Sequence, residues 1–78
     1  MNVTQAFDGV AEMLAKLDPR AVIQLRADDS VSQQVELLVR KKKEGTISME
    51  EVLELERYLA LDMLISRAKA RAWKMLQQ

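Results

Sequence analysis

The stretch that begins at Ser48 constrains this chain more than any other. The run MEEVLELERYLALDMLISRAKARAWKML contains no Gly and no Pro. It is dense in Leu, Ala, Met, Glu, Lys and Arg, the residues that lose least on entering a helix. It reads as one helix from Met49 to about Leu76, roughly 40 Å long at about 1.5 Å per residue. Ser48 suits the N-cap, and Glu51 three positions on completes a capping box. Ile47 and Val52 are spaced as the hydrophobic staple around it.

At about 100° per residue this helix carries two apolar stripes. Val52, Leu55, Leu59 and Met63 share one face in its first half. Leu61, Leu64, Ile65, Ala68, Ala72, Met75 and Leu76 share a nearly opposite face in its second half. The stripes overlap from Leu59 to Ile65, and a helix that is apolar all round is a buried one. The middle is therefore expected to be sandwiched, with the two halves packing against different things. One is another helix of the chain, and the other a second subunit or a partner. Charge divides in the same way. Residues 49–62 hold Glu50, Glu51, Glu54, Glu56 and Asp62 against Arg57, whereas residues 63–78 hold Arg67, Lys69, Arg71 and Lys74 and no acid. Complementarity to the helix dipole accounts for that order. A basic recognition face is the alternative, since Arg67, Arg71 and Lys74 align at i, i+4 and i+7.

Seventy-eight residues allow one domain, 1–78. A chain this short buries only about 60–65% of its unfolded surface, and without Cys or His it has no disulfide or Cys/His metal site to help. Self-association or a bound partner is the expected remedy. Lys and Arg number 12, as do Asp and Glu, so the net charge is zero. That weakens any general case for a nucleic-acid protein. The start lacks the basic segment and apolar run of a signal peptide, and no apolar run reaches membrane-spanning length. The expectation is a soluble cytoplasmic protein.

Upstream, Asn2 to Leu17 reads as an amphipathic helix over residues 3–17, with Asn2 and Gln5 as a capping pair. Val3, Phe7, Val10, Leu14 and Leu17 form a heptad-like seam, read as the face that packs on the core. Gly9 inside the pattern costs about 1 kcal/mol relative to Ala. Asp18-Pro19 ends this helix and suits the N-cap and first position of another. A brief helix over about residues 19–26 is preferred to a short strand, although Val22 and Ile23 are β-branched. Ala27 to Ser30 is a break, and Ser30 with Gln33 looks like a capping box. A helix over residues 31–44 follows, with Val31, Val35 and Leu38 as its stripe. Gly45 is placed to end it in the left-handed conformation. The short connection to Ser48 predicts an antiparallel helical hairpin with the long helix. Val31, Val35 and Leu38 would then face Val52, Leu55 and Leu59.

No constellation for chemistry emerges. The nucleophile–base pairs built on His or Cys are ruled out by composition, and the two Gly are single and far apart, so no phosphate-cradling loop is present. Glu50, Glu51 and Glu54 could gather a cation, but acids in a first turn read as a solvated helix start. No catalytic, cofactor or metal residues are assigned. The densest basic run, Arg40-Lys41-Lys42-Lys43, suits a helix C-terminus. Its alternative role, shared with Arg67, Arg71 and Lys74, is contact with phosphate or an acidic partner. No aromatic interleaves with it, so base stacking is not indicated. Asp62 is the polar exception in the most apolar stretch, serving either local hydrogen bonding or the register of an interface. Trp73 either caps the core or anchors a partner.

From about Leu17 onward the sequence resembles a largely uncharacterised group of short all-α bacterial proteins. The likeness rests on Lys41-Lys42-Lys43-Glu44-Gly45-Thr46-Ile47-Ser48-Met49-Glu50-Glu51, on Tyr58-Leu59 to Asp62-Met63-Leu64-Ile65, and on Lys69-Ala70-Arg71-Ala72. Such proteins are often encoded beside an HNH-endonuclease-like or toxin-like partner. The resemblance therefore implies an accessory or antitoxin-like role.

The expected fold is an all-α small bundle of three main helices, with a long C-terminal helix, an antiparallel hairpin and a short element near Pro19. The expected function is non-enzymatic protein binding through the second half of the long helix, by Leu61, Leu64, Ile65, Ala68, Ala72, Trp73, Met75 and Leu76. A nucleic-acid accessory using the basic surfaces and a homo-oligomeric structural bundle are the alternatives. No membrane or small-molecule partner is expected.

Overall fold

A computed structural model describes residues 2–26 and 28–77, all helix, turn or connection. The helices are α1 (Val3–Leu17), α2 (Pro19–Val22), α3 (Asp29–Glu44) and α4 (Met49–Leu76). None of them is long and apolar enough to cross a membrane. Ala27, the first residue of the expected break, lies outside the described residues. The chain forms two compact units, residues 1–25 with 62–78, and residues 26–61.

In the first unit α1 opens on the expected capping box. Asn2 Oδ1 accepts from the Gln5 amide at 2.8 Å, and Gln5 Oε1 accepts from the Asn2 amide at 3.0 Å. Asp18 then caps α2 by accepting from the Ala21 amide at 3.1 Å, with Pro19 at the first position, where no amide is needed. This helix is shorter than expected. After Val22 the amides of Gln24 and Leu25 reach back only three residues, to Ala21 and Val22. That tighter pattern ends a helix rather than extending it.

The core of this unit is built from small residues. Ala11 and Ala15 of α1, Val22 of α2, and Ala68 and Ala72 of α4 are buried together, with Leu14, Ile23, Leu64 and Met75 packed around them. This corrects the reading of α1. Its seam was expected to face the core, yet Val3, Val10 and Leu17 are exposed and only Phe7 and Leu14 are even half-buried. Ala11 and Ala15 face the core because two helices that meet through alanines approach more closely than leucine would allow. Asp8, on the same side, meets Arg67 of α4.

In the second unit α3 begins two residues earlier than expected, and Ser30 falls inside its first turn. The Ser30–Gln33 capping box therefore does not form. Asp28 takes the N-cap position without a side-chain bond, and the acid at Asp29 complements the helix start. The other end is as expected. Gly45 has φ 75, and its amide reaches Lys42 O while the Thr46 amide reaches Lys41 O at 2.9 Å. This 6→1 and 5→2 pair of bonds is a Schellman ending.

At the start of α4 the Glu51 amide donates to Ser48 Oγ at 3.1 Å and the Ser48 amide donates to Glu51 Oε1 at 3.0 Å. Ile47 and Val52 are half-buried on either side of the cap. Among the described residues of this unit, Leu38 and Leu55 are buried. Val31, Val35 and Val52 are half-buried, but Leu59 is exposed, so the expected stripe stops one turn short of it.

The middle of α4 is not sandwiched. Leu59, Leu61, Asp62 and Met63 are all exposed. Val52 and Leu55 of the first stripe, and Leu64, Ile65, Ala68, Ala72, Met75 and Leu76 of the second, are buried or half-buried, whereas Leu59 and Met63 of the first and Leu61 of the second are uncovered.

Candidate protein-interaction surface

Of the eight residues expected to bind a partner, α4 spends four on its own unit. Ala68 and Ala72 are fully buried, and Leu64 and Met75 pack against them. The two alanines thus offer no surface, because α1, the helix expected to cover part of this stripe, and α2 cover both of them. Ile65 and Leu76 are half-buried at its edge. Leu61 and Trp73 remain, at 53% and 54% exposure.

The basic residues also divide. Arg67 Nη1 meets Asp8 Oδ1 at 2.5 Å, and Arg71 Nη2 lies 3.9 Å from the same oxygen. Lys69 Nζ donates to the Leu25 carbonyl at 2.6 Å. These side chains fasten α1 and the segment that follows α2 to α4, and two of the three residues of the i, i+4, i+7 row, Arg67 and Arg71, are engaged within the chain. Lys41 pairs with Glu51 Oε2 at 2.6 Å. Arg40, Lys42, Lys43 and Lys74 are exposed and make no ion pair among the described residues.

The Lys41–Glu51 pair has a measurable consequence. The hydrogen bond from Lys41, followed by that from the Ser48 amide, holds the Glu51 carboxyl below its usual pKa. A carboxyl whose folded pKa is depressed adds stability above its unfolded pKa. That stability is lost as pH falls through the folded value. Glu51→Gln keeps a side-chain acceptor for the Ser48 amide but loses the charge. The variant is expected to be less stable than the parent at neutral pH, with the gap closing below the ordinary carboxylate range. Urea midpoints across that range measure it, and a gap that does not change with pH would assign the loss to the cap alone.

What α4 offers outward in the first unit is a strip around Trp73 that shares only Met63 with the two apolar stripes. Met63, Ser66, Ala70, Trp73 and Gln77 recur at spacings of three and four and all are exposed. None is charged, although charged residues make up 31% of the chain. The signal was present in the spacing, but Ser, Ala and Gln carry little weight in an apolar pattern. Asp62 and Lys74 are exposed beside the strip. Trp73 lies within it, exposed and not capping the core. An amphipathic aromatic on such a strip can bury a large area at small entropic cost. No group of acids among the described residues is gathered to hold a metal ion.

Comparison with protein-family models, with curated proteins and with solved structures gives no match for this chain.

Proposed function

We propose that the protein is a non-enzymatic protein-binding module that presents the outer strip of α4, with Trp73 as its anchor. The observation that carries this reading is the exposure of Trp73 within an uncharged row of residues at heptad spacing on a helix otherwise rich in charge. The row has the form of the helix faces that dock on a partner helix or groove. Exposed Met63 adds an adaptable apolar contact. In this reading α3 and the first half of α4 form an antiparallel hairpin, closed by the Lys41–Glu51 pair, and the helices make a small bundle that holds the strip rigid. The resemblance to short bacterial proteins encoded beside HNH-endonuclease-like or toxin-like partners supports an accessory or antitoxin-like role. The exposed group Arg40, Lys42 and Lys43 supports a lesser part in contacting an acidic surface.

Trp73→Ser tests the proposal. Trp73 is half out in solvent, so the variant is expected to keep the thermal midpoint of the parent. It should also lose most of the affinity for the protein captured from its host by the tagged parent, by an amount typical of a hot-spot residue, about 2 kcal/mol or more. Capture of the same protein at unchanged affinity would move the binding face elsewhere. Capture that depends on nucleic acid, and weakens steeply with salt, would replace this reading by the basic surface.

A further inference from the structure

In the second unit α4 leaves another row uncovered. Met49, Leu53, Glu56 and Ala60 follow one another at spacings of four, three and four, the pattern of a helix seam. Met49 is 75% exposed and Leu53 47%, Glu56 is exposed, and Ala60 is half-buried. The charges beside this row are acidic. Among the described residues Glu50, Glu54 and Glu56 make no ion pair, and Arg57 is the only base between Met49 and Leu61. The charges beside the Trp73 strip are basic. From Met63 to Gln77 the helix holds no acid, and Asp62 is the only acid α4 brings to the first unit. Lys74 is exposed without an ion pair among the described residues, Lys69 donates to the neutral Leu25 carbonyl, and Arg67 and Arg71 share the single carboxylate of Asp8. Positive charge is therefore in excess along this half. The helix dipole does not account for the division. It acts within the first and last turns, which hold Glu50, Glu51 and Lys74, and Glu54, Glu56 and Lys69 lie outside them.

We propose that the two rows cover each other between copies, the Trp73 strip of one chain packing on the Met49–Ala60 row of another. The inference rests on the proposed role of the Trp73 strip and names its partner as a second copy. Charge complementarity selects that occupant. The strip fits a surface that is apolar along its centre and acidic beside it, and the chain itself presents one. Met63 and Trp73 then gain Met49 and Leu53 as apolar contacts, while Lys69 and Lys74 meet Glu50, Glu54 and Glu56. Packing row on row or strip on strip sets mostly like charges against each other, which selects against those arrangements. The zero net charge of the chain adds no long-range repulsion as copies meet.

Sedimentation equilibrium of the full chain from micromolar to near-millimolar concentration, with Trp73 emission followed over the same range, is the test. Trp73 is the only Trp of the chain, so its emission reports on the strip itself. The parent is expected to exceed the chain mass as concentration rises, with the emission moving to shorter wavelength, and to dissociate as salt is added. Lys74→Glu and Glu56→Lys should each weaken association by about tenfold. Mixed together, the two variants should associate as tightly as the parent, because each reversed charge then finds its opposite. Both positions are exposed, so each dilute variant should keep the helix content of the parent. A parent that stays monomeric would overturn the inference. So would association that leaves Trp73 emission unchanged, or a mixture no tighter than either variant alone. A monomeric parent that still needs Trp73 to hold a host protein would leave the proposed function standing and remove only the second copy as its partner.

Discussion

Leu38→Ala is expected to destabilise the protein by about 2–5 kcal/mol, the range for removing a buried leucine and leaving its cavity behind. Among the described residues Leu38 is the one large side chain that is fully buried. Small domains are stable by roughly 0.05–0.15 kcal/mol per residue, so this single truncation removes a large fraction of the total. The cost falls high in its range when neighbours cannot collapse into the space. Here the Schellman ending at Gly45 and the capping box at Ser48 fix α3 and α4 on either side of a short connection. Leu37→Ala is the internal control. Leu37 is the preceding residue but is exposed, and its loss should cost less than about 1 kcal/mol. Urea unfolding of both variants, with unchanged dependence on urea, measures the difference. Equal shifts at the two positions would mean that α3 does not bury the face described here.

The sequence was most legible where local chemistry decides the backbone. Asn2 and Gln5, Asp18 and Pro19, Gly45, and Ser48 and Glu51 each satisfy or replace specific terminal amides and carbonyls, and that choice needs no tertiary partner. All four helices follow from those signals and from the absence of Gly and Pro in α4. The Ser30–Gln33 pair shows the limit of this logic, because an equally good start lies two residues earlier at Asp28-Asp29.

What the sequence hid was the rotation of each helix about its axis. Apolar periodicity weights large side chains, and by that measure Val3, Phe7, Val10, Leu14 and Leu17 were the inner face of α1. The face in use is centred on Ala11 and Ala15 instead. A better signal lay in two matched pairs, Ala11 with Ala15 and Ala68 with Ala72, each four residues apart. Asp8 stands one turn before the first pair, opposite the basic Arg67 and Arg71. Small residues that permit close approach, with a charge pair beside them, mark a helix contact that hydrophobicity alone passes over. The same oversight assigned Ala68 and Ala72 to a partner when they were already covered.

That rotation yields the sharpest contrast available along α4. Ala68→Leu is expected to destabilise the protein by about 1–3 kcal/mol, whereas Ala70→Leu, two residues on, should change stability by no more than about 0.5 kcal/mol. Leucine and alanine have similar helix propensities, so intrinsic preference cannot separate the two variants. Ala68 is fully buried against Ala11, Ala15 and Val22, while Ala70 faces outward beside Trp73. A leucine at position 68 must push α1 away or adopt a strained rotamer. Moving α1 would lengthen the contact between Arg67 and Asp8, so part of the cost should depend on salt. The added side chain at position 70 lies on the proposed binding strip and should alter partner affinity instead of folding. Thermal midpoints at low and high ionic strength test both halves of the expectation. A loss at position 70 equal to that at position 68 would show that the outward strip is itself covered within the chain, and the interaction surface would then have to be sought elsewhere.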